Sequence, residues 1–161
     1  MVQRATRVAG AAVALMVVPA MFAGAAGKGS KTDRATGGGQ ILVGSRGAGD
    51  TIAFTAQGTE AAGKGQVQVI DRTGGTGQGQ VKFHGTVICL NVAGNSAKLA
   101  GFTRDGGTFT LFVVDNGEGA NSDRDLITLD RQSDPTCEFN DDDEDNAVEL
   151  ARGNAQVYDA P

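Results

Sequence analysis

Residues 81–114 read VKFHGTVICLNVAGNSAKLAGFTRDGGTFTLFVV and contain three stretches of strand-like sequence separated by two short turns. In the last stretch, residues 108–114, the side chains of Phe109, Leu111 and Val113 fall on one face, which is the two-residue period of a β-strand. A turn that contains glycine separates each stretch from the next, as β-hairpins require. This segment therefore predicts a meander, in which each strand pairs with the one before it.

The first stretch, residues 81–92, changes character part-way along its length. Residues 81–84 alternate between apolar and polar side chains, whereas residues 87–90 are apolar on both faces. A strand that changes its pattern in this way commonly contains a bulge, and glycine tolerates one well. We expect the bulge or bend at Gly85.

Similar short runs, broken by glycine clusters, recur through most of the chain, and no helical period of useful length interrupts them. The sequence predicts an all-β fold, an antiparallel meander of about eight strands that forms a barrel or a barrel-like sandwich. The expected strands lie near residues 38–44, 50–57, 65–72, 79–92, 96–104, 107–115, 124–130, 136–140 and 147–158.

The start of the chain predicts export. Arginines precede an uncharged apolar stretch, residues 8–22, and small residues follow it, so residues 1–26 resemble a secretory signal peptide. The apolar stretch is short and rich in Ala and Gly, which disfavours a membrane span. We expect residues 27–36 to form a flexible polar tether and residues 37–161 a single β-domain. The mature protein should be secreted or extracytoplasmic, without stable membrane insertion.

The charge balance bears on the class of partner. The chain has 14 basic and 19 acidic residues, and this net negative charge disfavours nucleic acid as a partner. We expect the partner to be in the cell envelope or outside the cell. Residues 141–145 are five consecutive acids. They predict an exposed, self-repelling loop that keeps the domain soluble, the alternative being contact with a cation or a basic partner.

The two cysteines, Cys89 and Cys137, predict one disulfide, because an isolated pair in an oxidising compartment usually pairs. Two buried free thiols and a metal-binding pair remain as alternatives. A disulfide that closes a loop of this length stabilises a fold by roughly 4 kcal/mol in the chain-entropy model.

A loop rich in oxygen ligands suggests a calcium site. Calcium takes six to eight oxygens, typically from carboxylates, amides and backbone carbonyls. The candidate ligands are Asp115, Glu118, Asp123 and Asp125, although the spacing departs from the calmodulin-type loop, in which glycine stands where this chain has Leu126. The alternative is a solvated loop around a tight Asn-Gly turn. Calcium is the one cofactor the sequence suggests.

Enzyme signatures are weak. His84 is the single histidine, and on its strand it shares a face with Lys82 and Thr86, which indicates a surface position. A serine hydrolase needs a base beside its nucleophile, and the chain has no Gly-x-Ser-x-Gly motif. It also has no Trp to hold sugars. We expect no enzymatic activity and assign no catalytic residue.

Three motifs together resemble small secreted bacterial β-domains of the post-COAP type. They are a Gly-x-Val-x-Cys-Leu strand, a Val-x-Asp-Asn-Gly-Glu loop and a closing Gly-Asn-x-x-Val strand, which here are residues 85–90, 113–118 and 153–157. The second motif departs from the family in continuing with Gly119 rather than proline. The resemblance implies a secreted all-β module without an established activity, and it brings no catalytic residues.

These observations favour an exported, non-enzymatic binding or structural module whose residues 115–125 contact a partner or a calcium ion. An alternative is a carrier of a small apolar ligand, with the barrel interior as its pocket. Small side chains expected to point inward would leave the space for that ligand, namely Ala53, Ala56, Ala97 and Ala100. A hydrolase is a remote alternative.

Overall fold

The structure is a computed structural model that describes residues 32–41, 49–72, 82–118, 122–131 and 134–161. In these residues each strand pairs antiparallel with the next, and the last pairs with the first, so the sheet is a closed barrel. The predicted all-β meander is confirmed, and it closes as a barrel. The elements are β1 (Asp33–Ile41), β2 (Asp50–Thr59), β3 (Ala62–Ile70), β4 (Lys82–Ala93), β5 (Ser96–Thr103), β6 (Thr108–Val114), β7 (Leu126–Asp130), the helical turn α1 (Asp142–Asp145) and β8 (Val148–Tyr158).

Both turns predicted within residues 81–114 are confirmed. Gly94 lies between β4 and β5 with φ 62°, and Gly106 lies between β5 and β6 with φ 85°. Glycine adopts this left-handed conformation without the steric cost that a side chain would add. These turns place three consecutive strands side by side, which starts the meander.

The predicted bulge at Gly85 is wrong by three residues. The pairing of β4 with β5 shifts between Val87 and Cys89, so Ile88 is the extra residue. A bulge reverses which side chains face the interior. After it, Leu90 joins the core and Cys89 faces outward into a second cluster, while Ile88 is exposed.

Side chains fill the interior of the barrel. The ring of Phe109 packs against Gly85 and Gly101, and a Cβ atom at Gly85 would lie 2.3 Å from its Cε1 atom. The rings of Phe83 and Phe109 lie 6.2 Å apart between centroids. The other large members of this core include Ile52, Phe54, Val67, Leu90, Leu99, Leu111, Val113 and Ile127.

The four alanines proposed to leave space in the interior do not all face it. Ala56 and Ala97 belong to the interior core, as expected. Ala53 is exposed on the outer face of β2. Ala100 is buried outside the barrel in a second cluster with Cys89 and Cys137.

A segment that we call the strap, residues 134–147, covers part of the outside of the barrel. Cys137 forms a disulfide with Cys89 on β4, with an S–S distance of 2.06 Å, as predicted. Phe139 packs edge-on against Phe112 of β6, with 6.0 Å between ring centroids. Residues 136–140 do not form the strand that we predicted. Their alternation instead reflects the contacts of the buried Cys137 and the half-buried Phe139 with the outside of the barrel.

The predicted tether also needs correction at its end. β1 begins at Asp33, so residues 33–36 are paired with β2 rather than flexible, and residues 34–36 pair with β8 as well. Ala35 is fully buried, and backbone pairing on both sides does not require an apolar period. Residues 1–31, which include the predicted signal peptide, lie outside the described residues, as do residues 42–44 and 79–81 of the predicted strands. Among the residues described, no helix has the length and apolar character to span a membrane.

Candidate functional site

The barrel is least completely paired between β7 and β8. β7 has five residues and β8 has eleven. They pair at two positions, Leu126 with Glu149 and Ile127 with Val148. Backbone N–H groups need acceptors when they are removed from water, so the rest of β8 requires other partners on this side. We call this region, where β8 continues beyond β7, the seam.

Two carboxylates supply acceptors at the seam. Asp125 Oδ2 accepts a hydrogen bond of 2.6 Å from the backbone N–H of Ala155. Asp115 Oδ2 accepts one of 2.9 Å from the backbone N–H of Val157. Alternate residues of a strand direct their N–H groups to the same side. These carboxylates therefore stand where the carbonyl groups of a longer β7 would be.

The same two side chains also hold the loop from which they come. Asp125 Oδ1 accepts the N–H of Asn116 at 3.0 Å, and Asp115 Oδ1 accepts the N–H of Gly117 at 2.9 Å. The side-chain amide of Asn116 donates to the carbonyl oxygen of Arg124 at 2.7 Å. The two ends of the loop between β6 and β7 are thus fixed to each other and to β8.

The four predicted calcium ligands have different surroundings. Glu118 Oε1 accepts hydrogen bonds from the side-chain amides of Asn154 at 3.0 Å and Gln156 at 3.1 Å. Asp123 is exposed, whereas Asp115 and Asp125 bind backbone N–H groups. Within the described part of the chain, no three His, Cys, Asp or Glu side chains are grouped so that they could hold a metal ion. The structure gives three of these carboxylates hydrogen bonds to the protein itself.

A cavity of about 430 Å³ that is largely open to solvent lies at the seam. Its charged side chains are of both signs, and one of them, Arg124, forms an exposed ion pair of 3.4 Å with Glu149 of β8. The cavity is lined by Gly117, Glu118, Ser122, Asp123, Arg124, Asp125, Leu150, Gly153 and Asn154. Such a lining suits a polar ligand.

A second polar site lies beneath the strap. Lys98 of β5 is buried, and its ammonium group contacts both carboxylate oxygens of Asp143 at 2.9 Å. The acidic run at residues 141–145 is otherwise exposed, as predicted. Its central residue nevertheless binds a cation, which is a lysine of the same chain. Lys98 was not among the predicted site residues, although its position between Ala97 and Leu99, both apolar, is a signal of burial.

His84 occupies the surface position that the sequence indicates. His84 is exposed on β4 and lies opposite Gln68 of β3.

The hydroxyl of Thr103 donates to the carboxylate of Asp105 and lowers the pKa of Asp105, with a smaller contribution from the nearby Arg131. Asp105 is exposed in the turn between β5 and β6.

No family model, no curated protein and no solved structure matches this chain. The structure nevertheless relates two of the motifs described above. Residues 113–118 span the end of β6 and the start of the loop that follows it, and residues 153–157 lie in β8. The seam joins the two motifs through hydrogen bonds between Asp115 and Val157 and between Glu118 and Asn154. The Asp-Asn-Gly-Glu motif therefore has a structural role in this barrel.

Proposed function

We propose that this protein is an exported, non-enzymatic β-barrel module that binds a partner in the cell envelope or outside the cell through the cavity at the seam. The observation that supports the proposal most directly is that β8 donates hydrogen bonds to the carboxylates of Asp115, Glu118 and Asp125, which hold this side of the cavity. A binding surface that is ordered before contact loses less entropy on binding.

Two observations support export. The disulfide between Cys89 and Cys137 is typical of proteins from oxidising compartments. The start of the sequence predicts a signal peptide. The resemblance to secreted post-COAP-type domains agrees with both.

The lining of the cavity favours one class of partner. Glu118 and Asp123 provide carboxylates, Asn154 provides an amide, and Arg124 provides a guanidinium group. A polar ligand or peptide segment that carries a positive charge would satisfy this set, with Arg124 free to exchange its exposed ion pair for a ligand carboxylate.

The carrier of an apolar ligand is less well supported. The barrel interior contains closely packed aromatic and aliphatic side chains, including Phe54, Phe83 and Phe109. A carrier with an apolar pocket needs open volume in that region. Calcium has no assigned place in the proposal, because three of its four candidate ligands accept hydrogen bonds from the protein.

The proposal can be tested by NMR on the mature, oxidised protein labelled with ¹⁵N. Panels of short cationic peptides and of envelope saccharides serve as probes, and we expect binding to shift the amide signals of Gly117, Arg124 and Gly153. The double variant Asp123→Ala/Arg124→Ala should lose that response. A matched control, Gln68→Ala/His84→Ala on the outer face of β3 and β4, should retain it. Shifts confined to other faces would contradict the proposal.

A further inference from the structure

The ion pair between Lys98 and Asp143 is held from several directions. The side chain of Lys98 is 2% exposed and that of Asp143 is 12% exposed, and Nζ lies 2.9 Å from each carboxylate oxygen. Asp143 Oδ2 also accepts the N–H of Asn140 at 2.8 Å. The carbonyl oxygen of Asp143 accepts the hydroxyl of Thr128 at 3.1 Å. The two groups are therefore kept in contact, away from water.

The pair borders a small cavity that contains a second carboxylate. The cavity has a volume of about 90 Å³, which is enough for a water molecule at its share of roughly 30 Å³ in the liquid. Asp130 of β7 and the ring of Phe112 lie in its lining with Lys98 and Asp143. The buried ammonium group of Lys98, the carboxylate of Asp143 and the exposed carboxylate of Asp130 thus border one cavity.

We propose that Lys98 and Asp143 condense to form an intramolecular amide bond between the two side chains. A proton first passes from the ammonium group to the carboxylate along their hydrogen bond, which leaves an amine and a carboxylic acid. The amine nitrogen attacks Cγ of Asp143 and the C–N bond forms. Asp130 takes a proton from this nitrogen and delivers it to the departing hydroxyl group. The C–O bond breaks, one water molecule leaves, and Asp130 returns to its initial state.

Proximity is the physical reason for this reaction. Both oxygens of Asp143 touch Nζ, so the carbon between them lies at roughly the 3–3.5 Å separation from which such attacks start. A rotation about Cβ–Cγ presents the face of the carboxyl group to the amine. Well-oriented groups in one molecule react as if at effective concentrations of roughly 10⁵–10⁸ M. Free amines and acids in water have no such advantage.

The amide would give the strap a second covalent attachment. The disulfide joins positions 48 residues apart, and the amide would join positions 45 residues apart. The disulfide attaches the strap to β4, whereas the amide would attach it to β5. Because an amide resists reduction, the strap would remain on the barrel when the disulfide is reduced. This inference does not depend on the proposed binding function.

The test is the mass of the intact wild-type chain after purification, incubation at neutral pH, full reduction and denaturation. We expect a mass lower than that of the linear reduced chain by one water molecule. Protease digestion should then yield one branched fragment that contains both Lys98 and Asp143. A mass equal to that of the linear chain, with the two residues on separate fragments, would overturn the proposal and leave an ion pair.

Three variants assign the reaction to particular groups. Lys98→Met should restore the full mass, whereas Lys82→Met, an exposed lysine of β4, should keep the loss of water. A loss that survives in Lys98→Met would show dehydration elsewhere and overturn the proposal. Asp130→Asn should slow the reaction by at least tenfold in a time course of intact mass, and an unchanged rate would overturn its assigned proton transfer.

Discussion

The buried carboxylate of Asp125 accepts a hydrogen bond from the backbone N–H of Ala155, a residue 30 positions further along the chain, at 2.6 Å. Asp115 does the same for Val157, which is 42 positions away. Closure of the barrel beyond the short strand β7 therefore depends on side chains in place of a strand. In the sequence, Asp115 and Asp125 resemble part of a metal-binding loop. In the structure, their carboxylates accept hydrogen bonds from the backbone of β8.

Asp125→Ala should lower the free energy of unfolding by about 3 kcal/mol. The substitution removes a charged acceptor from two backbone N–H groups, one of which is buried, and such losses cost about 1–3 kcal/mol each. Asp125→Asn keeps one oxygen acceptor and should lose about half as much. Urea denaturation with unchanged m-values measures both changes. The exposed Asp123→Ala is the matched control, with an expected change within about 0.5 kcal/mol.

Thermal melts in millimolar calcium and in EDTA should superimpose. The candidate carboxylates already accept hydrogen bonds, and no group of three metal ligands is present in the described residues. A ligand at a hundredfold excess over its Kd would stabilise the fold by about 2.7 kcal/mol and raise the midpoint by several degrees. A shift of that size would instead support calcium binding at Asp115, Glu118, Asp123 or Asp125.

Gly85→Ala should destabilise the barrel by about 1–3 kcal/mol, the usual cost of adding volume to a packed core. The new Cβ atom would lie 2.3 Å from a ring carbon of Phe109, which is fully buried in the core. The neighbouring His84→Ala on the exposed face should have little effect. Unfolding curves of the two variants give the comparison, and equal stabilities would show that the ring of Phe109 adjusts freely.

Thr103→Val should raise the pKa of Asp105 toward its usual range. The hydroxyl of Thr103 stabilises the charged carboxylate, which is why its pKa is lowered. Because the pKa of Asp105 is lower in the folded protein than in the unfolded chain, its carboxylate stabilises the fold at pH values above the unfolded-state pKa. That contribution to the free energy of unfolding is lost as the pH falls through the folded-state pKa of Asp105. NMR titration of the Asp105 carboxyl carbon measures the change. Thr55→Val, at an exposed position of β2, should leave it unaltered.

Alternation of apolar and polar residues predicted burial correctly in β6 but predicted a strand wrongly at residues 136–140. The alternation of Phe109, Leu111 and Val113 predicted inward-facing side chains, and all three are buried in the core. The same rule failed for residues 136–140. Cys137 is buried and Phe139 half-buried against the outside of the barrel, without strand pairing. Alternation of apolar and polar side chains indicates that one face of an extended segment is buried. It does not indicate whether the backbone of that segment pairs with another strand.

The sequence by itself determined the strand pattern, two turns and the pairing of the cysteines, because these depend on local periodicity, on glycine conformation and on there being two thiols. Only the tertiary structure decided what the acidic residues do. Asp125 meets Ala155, and Asp143 meets Lys98, across 30 and 45 positions of the chain. An aspartate in a loop has the same local signature whether it binds an ion, water or a distant N–H group, and the fold selects among them by bringing the partner within hydrogen-bonding distance.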